Sequence, residues 1–289
     1  MSTLREIVYN SVIAIHRRTG KEWIPLKEIY EEVDKNRDVG INNGGASVRA
    51  ALETHSALSE VFSGTEEYIL KEKGSGLYKS IYYDQIKFIK NMNIGDVFTR
   101  DQLMAVFKIS GQSGIMKTNS LNCLVLTTSE ENGVYCDSTV ENGFITYTGE
   151  GLTGDQTITK NNKTIYESNE NDLPMYLFSK DNNKKYIFEG QVKLCAEPYQ
   201  VIEKDIDGND RLVWKFPLSI VYPNDYDFEK NENFSEIVYK ITEIESKIYS
   251  DMIEEQNDLE YIEGKINIRK YRKTDKKIQR TKKPDYIAE

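Results

Sequence analysis

The chain has 289 residues, a length that suggests two domains, or three if one is small, and with 38% apolar and 11% aromatic residues it can bury a packed core. It has no N-terminal apolar stretch of signal-peptide type and no apolar run of about 18 residues, which argues against secretion and membrane spanning and points to the cytoplasm. The net charge of −9 is unevenly spread, because Lys265 to Lys283 holds ten basic residues against one acidic; any polyanionic partner must therefore be met by local basic faces.

In chain order, Leu4, Ile7, Val8, Val12 and Ile15 recur at helical spacing and stop at Gly20. Trp23-Ile-Pro25 reads as a short extended piece, and Leu26, Ile29, Tyr30 and Val33 as a second helix face. Asn42-Asn-Gly-Gly45 reads as a turn, followed by a third helix from Ala46 to His55. Tyr68-Ile-Leu70 and Leu77-Tyr78 flank Lys73-Gly-Ser-Gly76 as a hairpin. Three helices followed by a hairpin is the order of a winged helix-turn-helix, expected over residues 1–82, and the segment resembles the HARE-HTH family found at the front of restriction proteins. A winged helix places its third helix in the major groove. The candidate contacts are Asn43, Ser47, Arg49, Lys71 and Lys73, with Arg17, Arg18 and Lys21 near the first turn. The same charges also suit a solvated protein-binding module.

Residues 83–98 read as a linker. From 99 to 222 the pattern turns to short β-like runs, such as Cys123 to Thr128, Gly143 to Tyr147, Met175 to Phe178, Tyr186 to Phe188 and Leu212 to Phe216, which predict a barrel or sandwich. Residues 231–264 carry Phe234, Ile237, Ile241, Ile244, Ile248 and Met252 at amphipathic helical spacing, which permits a homodimer without demanding one. Residues 265–289 form a basic linker or tail. The expected class is α+β: an N-terminal winged helix-turn-helix, a central β-barrel and a long C-terminal amphipathic helix with a basic tail.

The most informative stretch runs from Gly133 through Tyr135, Asp137 and Gly143-Phe144 to Tyr147-Thr-Gly-Glu-Gly151 and Gly154-Asp-Gln156. Ser110 to Ile115 precedes it, and Tyr186 to Lys193 and Arg211 to Leu218 follow. This ordered set resembles the SET- and RING-associated (SRA) family over roughly 115 residues. The resemblance implies a PUA-like barrel that binds a modified cytosine (5-methyl-, 5-hydroxymethyl- or glucosylated) after flipping it out of double-stranded DNA. It also implies a base pocket at Tyr135, Asp137, Tyr147, Thr148 and Gly149. DNA-contact loops are implied at Gly111, Ser113, Gly114 and Ile115 and at Asp155 and Gln156. Aromatic rings suit base stacking, and a carboxylate suits the cytosine amino group.

No catalytic residue, metal site or cofactor is expected. The two histidines, His16 and His55, lie in the front segment, and Cys123, Cys136 and Cys195 have no metal-ligand spacing and read as reduced core thiols. There is no Gly-rich phosphate loop with Gly-Lys-Ser or Gly-Lys-Thr. Asp181, Glu189 and Lys193 also permit a nuclease core, although they fit a strand of the barrel better. Domain order suggests the specificity part of a restriction endonuclease, with a nuclease domain or subunit beyond residue 289. The alternatives are a winged-helix regulator with a ligand-sensing barrel, and a nuclease with an unrecognised site in this chain.

Overall fold

The computed structural model describes residues 3–35, 41–63, 67–110, 113–129, 137 and 143–222, without the side chains of 41–43. The expected helix at 231–264, the tail at 265–289, and Tyr135 and Gly111 lie outside the described residues. The chain divides into two compact units, 1–112 with 117–123, and 113–116 with 124–289.

The first unit opens with α1 (Leu4–Thr19). Thr3 and Glu6 form a reciprocal capping box at its start, and Gly20 closes it at φ 71° with its N–H on the His16 carbonyl. Next come β1 (Ile24–Pro25), α2 (Leu26–Lys35), α3 (Ile41–Glu53), β2 (Ile69–Lys71) and β3 (Leu77–Ser80). The strands form an antiparallel sheet in the order β1-β3-β2. Val8, Val12, Ile15, Ile29, Val33, Val48, Leu52, Ile69 and Tyr78 share one core.

The turn expected at Asn42 to Gly45 is not there: these residues belong to the first turns of α3. Glycine weakens a helix by about 1 kcal/mol. Here it also allows close packing, since a β-carbon on Gly45 would stand 3.6 Å from the Tyr30 ring. Segment 83–98, read as a linker, carries α4 (Tyr83–Lys90) and β4 (Val97–Phe98), followed by α5 (Arg100–Phe107), which begins in a second capping box at Thr99 and Gln102.

The second unit is built on one mixed sheet. Its elements are β5 (Ile115–Thr118), β6 (Cys123–Ser129), β7 (Phe144–Thr148), α6 (Lys160–Tyr166), β8 (Met175–Lys180), β9 (Tyr186–Leu194), β10 (Tyr199–Lys204) and β11 (Asp210–Ile220). The order is β10-β11-β9-β8-β6-β5, with β7 antiparallel on β11 and β6 parallel to β8. The expected closed barrel is not formed: among the described residues β5 and β10 end the path and do not pair with each other. Alternation along β11 sends Trp214, Phe216 and Leu218 into the main core with Leu124, Leu126, Ile145 and Leu177. Val213 faces the other way, towards Tyr199 and Val201.

Candidate functional site

Strand β7 places the motif residues. Tyr147 pairs with Phe216 and Thr148 with Lys215. Gly149 donates its N–H to the Trp214 carbonyl at 2.8 Å, so the Thr148 N–H, one residue earlier, points away from β11. The Asp137 carboxylate accepts that outward N–H at 2.7 Å. Asp137 is half-buried. Burial pushes its carboxyl above the usual aspartate range, opposed by the Thr148 amide, the Thr128 and Thr148 hydroxyls and the Lys215 charge.

Tyr147 lies on the opposite face and is 3% exposed, with its ring in the main core. Its hydroxyl sits 2.9 Å from the Gly114 carbonyl oxygen and 3.1 Å from that of Thr127, sharing one proton between them. A β-carbon on Gly114 would stand 3.1 Å from that hydroxyl, so glycine permits the approach. Ser113 Oγ donates to Glu150 at 3.1 Å, and Ile115 is buried at the start of β5.

Beyond Gly149 the chain leaves β11, and two side chains complete the abandoned ladder. Asp155 accepts the Leu212 N–H at 2.8 Å and Gln156 accepts the Trp214 N–H at 2.8 Å. Gln156 also donates to the Gly149 carbonyl at 2.6 Å and is itself buried. Asn162 on α6 accepts the Glu150 N–H at 2.8 Å and donates to the Glu150 carbonyl at 3.0 Å. Asn161 donates to the Glu150 carboxylate at 3.1 Å. The Tyr-Thr-Gly-Glu-Gly segment is thus held rigidly from several sides.

In the first unit, Arg49 and Lys71 both bind the Glu53 carboxylate, at 3.0 and 2.9 Å, and Lys73 is exposed in the turn between β2 and β3. Ser47 lies on α3 with Arg49, and the Asn43 side chain lies outside the described residues. His16 is buried, with Nδ1 on the Lys21 carbonyl and Nε2 accepting the Ser80 N–H, and burial lowers its pKa.

Among the described residues no group of three or more His, Cys, Asp or Glu side chains is placed to hold a metal ion, and no helix is long and apolar enough to cross a membrane. Glu189 accepts a bond from Ser179 Oγ, and Asp181 accepts the Lys185 N–H at 2.7 Å.

A family model for the ScoMcrA-like SRA domain matches residues 94–247, just over half of the chain. The chain belongs to that family. In this SRA-family chain, the matched span covers β7, β11 and the loop at 113–115.

Comparison with curated proteins finds no match. Among solved structures, the chain is similar to the sulfur-binding and SRA domains of ScoMcrA complexed with phosphorothioated DNA, at 14% identity over 76% of this chain and 85% of that one, with a TM-score of 0.48. It is similar to the type IV phosphorothioation-dependent restriction endonuclease ScoMcrA at 14% identity, over 76% of this chain and 60% of that one, with a TM-score of 0.47. It is also similar to the SUVH5 SRA domain in complex with methylated CHH DNA, at 25% identity over 47% of this chain and 92% of that one, with a TM-score of 0.37.

Sequence reasoning passed over Lys215, Glu150 and Asn162. Lys215 had a signal: it interrupts the apolar run Leu212 to Leu218. Asn162 had none, because Lys160 to Lys163 is polar throughout and its burial depends on tertiary packing.

Proposed function

We propose that this protein binds double-stranded DNA carrying a modified cytosine, extrudes that base, and holds it in a pocket formed by Tyr135, Asp137, Tyr147, Thr148 and Gly149. The observation that carries the reading is the Asp137 carboxylate, half-buried and anchored on the outward Thr148 amide at the end of β7. An anchored carboxylate keeps acceptor capacity for an exocyclic amino group, the group that distinguishes cytosine from thymine. Membership of the SRA family supports the same reading.

The energetics are feasible. Extrusion costs a few kcal/mol, and aromatic stacking returns roughly 1–3 kcal/mol per base. The Tyr147 ring is buried in the main core and supports the pocket from beneath, and Tyr135 is the candidate for stacking on the base. The Tyr147 hydroxyl bonds the Gly114 carbonyl, so Gly114 of the proposed contact loop (Gly111, Ser113, Gly114 and Ile115) is braced by the pocket that loop would serve. Gln156 braces Gly149 from within, and Asp155 holds the Leu212 amide of β11.

The first unit contributes as a winged helix, through Asn43, Ser47, Arg49, Lys71 and Lys73. Glu53 holds Arg49 and Lys71 in the free protein, so binding would exchange those ion pairs for phosphate contacts. The biological role that fits is the specificity part of a restriction endonuclease.

Extrusion is tested with 2-aminopurine placed next to 5-methylcytosine, 5-hydroxymethylcytosine or glucosylated cytosine in otherwise identical duplexes. Loss of stacking on binding should raise its fluorescence for at least one modification. Saturating binding with no rise for any of them would overturn the flipping reading.

A further inference from the structure

Lys215 is a buried cation, 6% exposed, in the middle of β11. Its ammonium lies 2.5 Å from Glu203 Oε1 on β10 and donates to Thr148 Oγ1, directly across the β7–β11 ladder, at 2.8 Å. With its oxygen accepting from Lys215, the Thr148 hydroxyl turns its own proton outward, and Asp137 interacts with that hydroxyl. Thr148 therefore meets Asp137 twice, through its N–H and through a hydroxyl whose direction Lys215 sets.

We infer that Lys215 is a positioning residue: through Thr148 it holds Asp137 as an oriented, ionised, acceptor-only carboxylate, and so makes the pocket demand a base bearing an exocyclic amino group. The inference rests on the base-pocket reading above and adds what sets its choice of base.

A purely structural role explains Lys215 poorly. Burying an ammonium and a carboxylate costs several kcal/mol per ion, and apolar replacements of a buried pair are often neutral or stabilising. The pair occupies the strand position facing the one threonine whose amide anchors Asp137. A protonated Asp137 would present a donor as well and would tolerate a carbonyl at the same place on the base. Arg211 and Lys215 of β11 and Glu203 of β10 are the charged side chains that alternation puts on this face of those two strands, and β7 has none.

The test uses pairs of duplexes whose target bases share a C5 group and differ at position 4: 5-methylcytosine against thymine, and 5-hydroxymethylcytosine against 5-hydroxymethyluracil, each opposite guanine. The wild-type protein should favour the amino-bearing base of at least one pair by roughly 10- to 100-fold, the effect of one hydrogen bond to a charged group. Lys215→Met combined with Glu203→Gln removes both charges together and should bring that ratio to within about threefold in a variant that still folds. Lys215→Arg should keep the ratio. Thr148→Val, which leaves the Lys215–Glu203 pair intact, should collapse it, and Thr148→Ser should keep it. A full ratio in either the folded double variant or Thr148→Val would overturn the role of Lys215 and leave the pocket reading standing. Equal wild-type binding to modified and unmodified cytosine would overturn both.

Discussion

Gly149 has no room for a methyl group. A β-carbon there would stand 2.8 Å from Gln156 Oε1 and 2.9 Å from Asn162 Oδ1. Both oxygens are already engaged, the first by the Trp214 N–H and the second by the Glu150 N–H. The backbone at Gly149 is not in the left-handed region, so the penalty for Gly149→Ala is steric rather than conformational. Overpacking costs roughly 1–3 kcal/mol, and one buried amide bond given up costs about 1–3 kcal/mol more. A central value of about 4 kcal/mol lowers the melting temperature of a unit of this size by roughly 8–16 °C. Circular dichroism melts of the variant and of Gly154→Ala provide the measurement. At Gly154 the φ is 65° with nothing within 4 Å of a β-carbon, so that change should cost only about 1–2 kcal/mol. A Gly149→Ala melting point within about 2 °C of wild type would refute the claim that this loop is tightly braced.

Asp137 should show a trade of stability against function. Its carboxyl is raised by burial, so the folded state takes up a proton more readily than the unfolded chain, and stability falls as pH rises through that range. Asp137→Asn should therefore melt no lower than wild type at neutral pH, any advantage should vanish on acidification, and modified-base preference should be lost; a large loss of stability at neutral pH would contradict this. Glu32 behaves oppositely. Arg18 binds it through two 2.9 Å hydrogen bonds and Lys35 adds a third, which together hold its carboxyl below the usual range. Its contribution is present at neutral pH and lost as pH falls through its folded pKa. Glu32→Gln should thus destabilise the first unit by about 1–3 kcal/mol at neutral pH, and the gap to wild type should close in acid; a gap that persists in acid would place the effect in packing instead.

Much of this architecture is legible in the sequence where periodicity and burial agree. Leu4 to Gly20 reads directly as α1, and the runs at Cys123, Met175, Tyr186 and Leu212 lie within β6, β8, β9 and β11. Asn42 to Gly45 misleads because residues that punctuate chains locally are drawn into α3, where Gly45 packs against Tyr30. The closed barrel misleads because a local pattern identifies strands but not whether the last strand meets the first. At the site, the motif from Tyr147 to Gly151 is visible, but its support is not. Gln156, Asn162 and Lys215 act through partners 7 to 67 residues away, and only the odd charge of Lys215 in an apolar strand marks it.

The most direct measurement is a binding titration at fixed salt with one duplex sequence carrying cytosine, 5-methylcytosine, 5-hydroxymethylcytosine, glucosylated cytosine or a phosphorothioate linkage beside plain cytosine. At least one modified cytosine should bind about tenfold or more tighter than cytosine. Equal affinity across all the duplexes, or a preference for the phosphorothioate alone, would contradict the account.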